Sequence, residues 1–354
     1  MNGPGTPDTG RAPSTEELPL LVGGAFGDQS TARGRKGEPR IVSFGGGHGL
    51  YAALRAFRLL TESLTAVVTV ADDGGSSGRL RTEMGGLPPG DLRMALAALC
   101  DDGDWGRVWR DVMQHRFVSD GALDGHAVGN LLIAALWQIH DDHVVGLDWI
   151  ARLLRAHGRV LPMSSVPLTI EADVHTAQEE PPVLIRGQSV LASTPGRVAE
   201  VRLDPASPPA RSETIAAVQE ADVLNLGPGS WYTSVMPHLL VPDLARAICE
   251  STAMRTLTLN LGAAPGETAD LTLVDHLQSL HNHAPELRLD HVLVDAVAAA
   301  KEPALVDIAS SLFGAQVRTH PLTSRRARQH DSLKLAACYR DMLLDSGLLA
   351  EDQW

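Results

Sequence analysis

The stretch Ile41-Val42-Ser43-Phe44-Gly45-Gly46-Gly47-His48-Gly49 joins an apolar strand to a glycine-rich loop, loop one. A second strand, Ala66–Val70, leads into Asp72-Asp73-Gly74-Gly75-Ser76-Ser77-Gly78, loop two. Between them, apolar residues recur from Leu50 to Phe57 at the spacing of one helix face. This order predicts an open parallel α/β sheet. Ligands bind at the carboxyl ends of such strands, so we expect a phosphate-bearing ligand at these loops.

The rest of the chain predicts one α/β domain over 39–325 with a tail on each side. Residues 1–38 lack a sustained period and are rich in Gly, Pro, Ser and Thr, which predicts a disordered tail. Short β-prone pieces over 159–204 predict a small β-rich insertion. Residues 326–354 predict a C-terminal helical tail. The other predicted elements are helices 92–99, 106–115, 131–139, 146–157, 212–219, 242–251, 269–282 and 332–346, and strands 222–226, 256–261 and 290–294.

Composition excludes several classes of protein. Lys+Arg 30 against Asp+Glu 43 gives a net charge of −13, and nucleic-acid binding needs a positive footprint. No apolar run approaches the ~18 residues of a membrane span. No basic segment followed by an apolar one opens the chain, so we expect no signal peptide. Cys100, Cys249 and Cys338 are widely spaced, which suits reduced thiols and a cytoplasmic location.

Loop one fits a dinucleotide pattern, Gly47-x-Gly49-x-x-Ala52, after a strand and before a helix. The alternative is that these glycines only make a tight strand-to-helix turn. His48 is a candidate phosphate donor, or an exposed histidine without a role.

Loop two combines carboxylates, hydroxyls and arginines. Asp72 and Asp73 precede a glycine-serine run, and Arg79 and Arg81 follow it. Hard oxygen ligands suit Mg²⁺ and a guanidinium suits phosphate, so this set predicts a phosphate bridged by a cation. The alternative is a solvated acidic turn.

Three further segments carry candidate residues. Asp91, the predicted N-cap of a helix, and Arg93 could contact a ligand or form a cap and a surface ion pair. His126 precedes Gly129 and Asn130, so it is a candidate general acid or phosphate donor, or a structural histidine. Loop three, Gly227-Pro228-Gly229-Ser230-Trp231-Tyr232-Thr233-Ser234, could bind a second phosphate or a sugar, with its aromatic rings stacking or packing. No serine-histidine-aspartate triad, zinc site or Walker A loop is recognisable.

The predicted sites follow from these segments. If the chain is an enzyme, the catalytic candidates are Asp72, Asp73 and His126, and the same two aspartates are the candidate Mg²⁺ ligands. The predicted nucleotide- and phosphate-binding residues are Gly45, Gly46, Gly47, His48, Gly49, Leu50, Gly74, Gly75, Ser76, Ser77, Arg79, Arg81, Asp91, Arg93, Gly129, Asn130, Gly227, Pro228, Gly229, Ser230, Thr233 and Ser234.

In this order, the motifs resemble the YvcK/CofD family, also called the gluconeogenesis factor family, whose enzymatic branch is the 2-phospho-L-lactate transferases. The longest motif and loop three resemble the YvcK branch. The resemblance runs through most of residues 40–295. The matching stretches are Gly45–Leu50, Val68–Arg81 (VTVADDGGSSGRLR), Pro88–Arg93, His126–Leu136, Gly227–Ser234 and Pro265–Thr268.

The resemblance implies a Rossmann-like three-layer fold, a parallel sheet with helices on both faces. It implies that transferase members use Mg²⁺ to join a phospholactyl-type group from a guanosine diphosphate donor to a deazaflavin. YvcK-type members bind UDP-sugars, notably UDP-N-acetylglucosamine, and support cell shape and gluconeogenic growth. It also implies a homodimer, nucleotide contacts from loops one and three, and Asn130 close to Asp72 and Asp73.

The chain departs from the family pattern at a few positions. His48 stands where Thr is usual, Met94 where Asn is common, and Ala263-Ala264 where a more polar pair is usual. Met94 removes a polar group near the expected pocket, which weakens the enzymatic interpretation.

Three functions are therefore compared. The first is a cytoplasmic UDP-sugar-binding gluconeogenesis factor. The second is a Mg²⁺-dependent transferase that uses a guanosine diphosphate donor. The third is an NAD(P)-binding oxidoreductase, suggested by Gly47-x-Gly49-x-x-Ala52 alone and disfavoured by the glycine-serine run after Asp73. We expect the first.

Overall fold

The computed structural model describes residues 38–176, 181–262, 268, 271–324 and 329–350. The chain divides into two units, Met1–Ala32 and Arg33–Trp354, and all described residues belong to the second. The predicted N-terminal tail lies outside the described residues except for Glu38. The described residues also leave out Ala263 and Ala264, and they leave out Pro265–Thr268 apart from Thr268 itself.

The described residues form ten strands in two sheets. They are β1 (Ile41–Gly45), β2 (Leu64–Val68), β3 (Arg159–Pro162), β4 (Thr169–His175), β5 (Val183–Arg186), β6 (Arg197–Asp204), β7 (Val223–Leu226), β8 (Met254–Thr258), β9 (His291–Asp295) and β10 (Gln316–His320). The main sheet has the order β10-β9-β8-β7-β1-β2-β3. All of its pairs are parallel.

Helices flank this sheet. They are α1 (Gly47–Phe57), α2 (Gly75–Met84), α3 (Gly90–Leu99), α4 (Asp104–Gln114), α5 (Val128–His140), α6 (His143–Leu154), α7 (Gln188–Ser193), α8 (Ser212–Glu220), α9 (Pro242–Glu250), α10 (Leu273–His283), α11 (Ala296–Ala299), α12 (Leu305–Phe313) and α13 (Ser332–Asp345). They contact each other in separate groups, with α1 against α3 and α13, α8 against α9, and α10 against α12. The predicted Rossmann-like α/β class is confirmed. None of the described helices is long and apolar enough to cross a membrane.

The strand order reverses its direction at the centre of the sheet, between β1 and β7. The chain moves from β1 to β2 and β3 on one side, and from β7 to β10 on the other. Ile41 of β1 therefore pairs with Leu64 of β2 and with Val223 of β7. Such a switch point opens a crevice at the carboxyl ends of the two central strands. Loop one follows β1 and loop three follows β7, so both lie at this crevice.

A small antiparallel sheet of order β5-β4-β6 occupies most of the segment predicted as a β-rich insertion. The first strand of that segment, β3, belongs instead to the edge of the main sheet, where Val160 pairs with Ala66. Glycines and prolines break this part of the sequence into short pieces. A short edge strand of the main sheet is therefore hard to distinguish there from a strand of the insertion.

Two local predictions differ from the structure. Residues 75–84 form helix α2, although Gly75-Ser76-Ser77-Gly78 has low intrinsic helix propensity. Asp91 is not the N-cap of α3, because the helix begins at Gly90, two residues before the predicted start, and its N-cap is Pro89. Its carboxylate lies in the first turn of the helix, where a negative charge is favourable.

The C-terminal helix α13 packs against α1. The rings of Phe57 and Tyr339 stack with centroids 4.0 Å apart, and both side chains are fully buried. The Tyr339 hydroxyl lies 2.8 Å from Thr258 Oγ1, so it has a partner although it is buried. This part of the predicted helical tail is therefore part of the core.

Gly49→Ala is expected to destabilise the fold. A Cβ on Gly49 would overlap with the Pro228 carbonyl and lie 2.6 Å from Gly229 Cα, and backbone atoms cannot rotate away. Alanine normally stabilises a helical position, but overpacking costs about 1–3 kcal/mol. Urea unfolding should show this loss of free energy.

The matched control is Gly121→Ala, because no atom lies within 4 Å of a Cβ built at Gly121. Its unfolding free energy should change by no more than about 0.5 kcal/mol. A Gly49→Ala protein as stable as its parent would contradict the close approach of loops one and three.

Candidate functional site

Loops one and three meet at the switch point. Gly49 in the first turn of α1 lies directly against the backbone of Pro228 and Gly229. Loop three is fixed from the other side by Asn260, which accepts from Gly229 N at 3.2 Å and donates to Gly229 O at 2.8 Å. The two loops therefore form one continuous backbone surface.

The amino end of α1 points its amides into this crevice. Gly46 is the N-cap, and its carbonyl accepts from Leu50 N at 3.3 Å. The amides of His48 and Gly49 lie in the first turn, where a helix supplies no carbonyl partner. The Leu50 side chain is buried and its N–H already donates to Gly46 O, so neither is free for a ligand. An anion is favoured at this end by the helix dipole.

One carboxylate, Asp91, lies beside this helix end, and a second, Asp72, lies beside the amino end of α3. A Cβ on Gly46 would overlap with Asp91 Oδ2, so only glycine allows this approach. A Cβ on Gly90 would lie 2.6 Å from Asp72 Oδ2, and it would also overlap with Ser77 Oγ. Burial, together with the nearby charge of Asp72, raises the pKa of Asp91 to about 7, although a hydrogen bond from Gly47 N acts in the opposite direction. A bound cation would relieve this repulsion.

The Asp73 side chain points to a different part of the structure. Its Oδ1 accepts from Ser189 N at 2.8 Å, and its Oδ2 lies against Gly187. Asp72 Oδ1 accepts from Gly74 N at 3.0 Å, which leaves Oδ2 toward Gly90. The geometry therefore pairs Asp72 with Asp91, and not with Asp73 as the sequence suggested. Adjacent residues in an extended loop point to opposite sides, and the sequence does not show which groups lie on each side.

The side chains of Arg79 and Arg81 form hydrogen bonds within the protein and do not extend into the crevice as free donors. Arg79 donates to Ala122 O at 3.2 Å and Asp124 O at 2.6 Å. Arg81 donates to Leu168 O at 2.7 Å and Thr169 Oγ1 at 3.0 Å. A phosphate contact would compete with these bonds, so the geometry favours a positioning role for both residues.

A buried chain of hydrogen bonds links α2, α5 and α3. Ser76 Oγ accepts from Asn130 Nδ2 at 3.0 Å and from Ala127 N at 3.4 Å, so its own hydrogen is directed at His126 Nδ1, 3.0 Å away. This bond assigns the His126 proton to Nε2. Burial lowers the pKa of His126, and the Arg79 charge lowers it further, so the imidazole is neutral at pH 7. It can donate to a ligand, but it is not an acid at that pH.

Arg93 continues this chain. Its Nε donates to Asn130 Oδ1 at 2.9 Å and its Nη1 to Gln114 Oε1. The side chain is 3% exposed, and burial lowers its pKa to about 10, which leaves the guanidinium charged at pH 7. Gly129 permits this packing, because a Cβ there would lie 2.8 Å from Arg93 Cδ.

Most side chains of loop three face the interior. Trp231 is 1% exposed and meets the His276 ring edge-on at 4.8 Å, so it packs instead of offering a stacking surface. Tyr232, Thr233 and Ser234 are buried as well, and Ser279 donates to the Tyr232 hydroxyl at 3.2 Å. Ser230 is the exposed hydroxyl of the loop.

Sequence reasoning missed several residues near the site. Thr69 Oγ1 is buried without a hydrogen-bond partner, and its methyl would lie 2.6 Å from a Cβ on Gly46. Tyr51, Gln114 and Arg116 line a cavity beside α1 together with His48, Arg93 and Met94. Of these residues, only Arg116 could have been noticed in the sequence, because its charge lies shortly before the His126 segment.

Among the described residues, no group of three or more His, Cys, Asp or Glu could hold a metal ion. Mg²⁺ commonly binds one or two carboxylates together with substrate phosphates and water. Asp72, Asp91 and the Ser77 hydroxyl fit this arrangement, since the Asp72 charge acts on Asp91, and Asp72 and Ser77 both lie against Gly90 next to it.

Comparison with known proteins defines the family. The profile described as 2-phospho-L-lactate transferase CofD matches residues 41–322, which include every loop of the site. The chain belongs to the CofD family. A Mycobacterium leprae protein is 50% identical over 302 residues, 84% of each chain. The gluconeogenesis factor of Bacillus subtilis is 37% identical over 259 residues, 73% of this chain and 79% of that one.

A solved structure supports the same assignment. A UPF0052 family protein from Bacillus halodurans superimposes with a TM-score of 0.76 at 33% identity. The match covers 85% of this chain and 99% of that chain. The CofD-family assignment and the gluconeogenesis factor relatives thus agree with the resemblance inferred from the sequence motifs.

Asp91→Asn is expected to change how stability depends on pH. The folded pKa of about 7 lies above the usual value of 3.8, so the folded state retains a proton that the unfolded state loses. Stability should therefore fall as pH rises from about 4 to 7, by up to about 1.4 kcal/mol per unit. The amide variant removes this term and should be the more stable protein at pH 8.

Urea unfolding at pH 5 and pH 8 measures the difference. Asp111→Asn is the control, because the Asp111 side chain is 81% exposed and its replacement should leave the pH profile unchanged. Parallel pH profiles for the parent protein and Asp91→Asn would show that the Asp91 carboxyl is not perturbed.

Proposed function

We propose that this chain is a cytoplasmic gluconeogenesis factor that binds a UDP-sugar, with UDP-N-acetylglucosamine as its ligand. In this role it supports cell shape and envelope synthesis during growth on gluconeogenic carbon. The proposal includes a homodimer, which the family resemblance implies.

The contact between loops one and three is the observation that carries this proposal. The amides of His48 and Gly49 and the backbone of Ser230 lie at one crevice at the switch point, next to Gly229, whose own amide donates to Asn260. A diphosphate is the ligand group that suits such a backbone surface, because it needs many N–H donors at short range. The nucleotide and the sugar would then extend to either side of it.

The name of the Bacillus subtilis relative gives the physiological part of the proposal. The sugar nucleotide itself comes from the family resemblance and from the phosphate-suited loops. An NAD(P)-dependent oxidoreductase gains no support from the relatives named above.

The second candidate is a Mg²⁺-dependent transferase that uses a guanosine diphosphate donor. The pairing of Asp72 with Asp91 favours it, since these carboxylates would hold Mg²⁺ against a diphosphate. The ion would supply positive charge to the phosphate oxygens. The chain's own residues would orient the donor through the α1 amides and donate a hydrogen bond from His126 Nε2.

Calorimetry of the full chain separates the two functions. Selective binding of UDP-N-acetylglucosamine without chemical change supports the gluconeogenesis factor. Preference for GDP with a requirement for Mg²⁺, lost in Asp72→Asn, supports the transferase. No heat with millimolar UDP-N-acetylglucosamine would rule out the first function.

Ser230→Asp is expected to weaken UDP-N-acetylglucosamine binding by about tenfold or more. The new carboxylate would stand in the crevice proposed for the diphosphate, and one charge repulsion in a partly buried site exceeds about 1.4 kcal/mol. Ser207→Asp is the control, because Ser207 is equally exposed but lies after β6, outside the loops. Equal affinities for both variants would contradict the proposed diphosphate position.

A further inference from the structure

The outer surface of α4 and α6 carries three of the six tryptophans of the chain. Trp105 and Trp109 lie one turn apart in α4, with ring centroids 5.7 Å apart, and Trp149 lies in α6. Trp105 Nε1 donates to Leu153 O at 2.8 Å, which attaches the α4 rings to α6. Both Trp105 and Trp149 are exposed. We call this surface, formed by Trp105, Val108, Trp109, Val145, Trp149, Arg152 and Arg155, the tryptophan face.

Aliphatic side chains extend the apolar part of the tryptophan face. Val108 lies one turn after Trp105 and is 60% exposed, and Val145 lies one turn before Trp149 and is also exposed. Single exposed apolar side chains need no explanation, but neighbouring ones mark an interaction surface. Tryptophan and arginine are also the residue types that most often supply the binding energy of protein interfaces. The composition of this face therefore fits a protein partner.

Two arginines of the tryptophan face have no acidic partner in the part of the chain that the structure describes. Arg152 lies over the Trp149 ring, 5.0 Å from its centroid, and Arg155 lies 5.6 Å from the centroid of Trp105. Contact with an indole ring restrains a guanidinium but leaves its N–H donors free. Both arginines are therefore available to carboxylates of another molecule.

Exposed carboxylates lie on the same helix as the first two tryptophans. Asp104 and Asp111 are four residues before and three residues after Val108, which places all three on one side of α4. The two carboxylate side chains are 94% and 81% exposed. Asp104 is bonded to Arg107, and Asp111 lies 3.9 Å from Arg110 Nε, so each keeps acceptor positions for a further donor.

This combination of charges matches the tryptophan face to its own copy. A two-fold interface brings one surface against itself, so the surface must be complementary to itself. Free arginines on α6 and exposed carboxylates on α4 meet this condition, because each copy can present its basic side to the acidic side of the other. A lipid surface fits less well, since anionic lipids would repel Asp104 and Asp111 and a chain with a net charge of −13.

We propose that two copies of this chain pair through the tryptophan face. The indole rings and valines of α4 and α6 form the apolar centre of the interface, and Arg152 and Arg155 pair with carboxylates of the other copy at its rim. This inference rests on the homodimer included in the proposed function, and it names the surface that forms the dimer.

Val108→Asp tests the apolar centre by sedimentation velocity of the full chain over a range of micromolar concentrations. The parent protein should sediment as a dimer, and the variant should dimerise about tenfold or more weakly, because each copy places an unpaired carboxylate in the interface. Val108 is exposed, so the variant should fold. Val306→Asp is the matched control, since Val306 is 55% exposed on α12, outside the tryptophan face; it should remain a dimer.

Arg152→Glu tests the charged rim. The reversed charge would face the carboxylates of the other copy, so dimerisation should weaken several-fold at low salt and by less at high salt, where exposed charges are screened. Arg246→Glu is the control, because Arg246 is also exposed but lies on α9. It should leave the dimer unchanged at both salt concentrations.

A monomeric parent protein, or a Val108→Asp protein that dimerises as tightly as its parent, would overturn the proposal. Binding of the parent to anionic phospholipid vesicles that is lost in Val108→Asp, without any change in sedimentation, would assign the face to a lipid surface instead and overturn it as well. Calorimetry with UDP-N-acetylglucosamine keeps the two proposals apart. A parent that dimerises through this face but binds no UDP-sugar would reject the proposed ligand and leave the interface supported.

Discussion

The arrangement of this fold depends on the contact between the backbones of loops one and three. Gly49 lies against Pro228 and Gly229 without room for a side chain, and this contact joins the two halves of the sheet at their switch point. The parallel pairing of β1 with β7 fixes where each loop begins. The backbone contact and the strand pairing together fix the direction of α1, and with it the direction of its free amides.

Charge is distributed unevenly around this contact. Asp91 lies at the amino end of α1 and Asp72 lies near it against Gly90, while Arg93 and Arg116 line a cavity beside α1. The two like charges within each pair repel each other, and neutral hydrogen-bond partners hold the side chains in place. The anionic part suits a metal ion, and the cationic part suits an anionic group of a ligand. A chain with a net charge of −13 gains additional selectivity from such a confined positive region.

The sequence was sufficient to predict the sheet class and the positions of the loops, because apolar strands followed by glycines have a distinct pattern. It did not show which way the side chains of Asp72 and Asp73 point, since that depends on Gly90 and Gly187, which are distant in sequence. It also did not show the partners of Arg79 and Arg81, because these are backbone carbonyls and the Thr169 hydroxyl, which carry no sequence signature. Helix α2 was missed because tertiary contacts outweigh the low propensity of its glycines and serines.

Loop two and its helix are attached to the small antiparallel sheet at two points. Asp73 accepts from Ser189 N at the start of α7, and Arg81 donates to the chain where β4 begins. Asp72 lies next to the first of these attachments. Any displacement of the small sheet would therefore shift a carboxylate of the site, and any ligand that fixes this carboxylate would restrain the sheet. By thermodynamic linkage the two effects are equal in size, so the sheet and the crevice form one mechanically coupled unit.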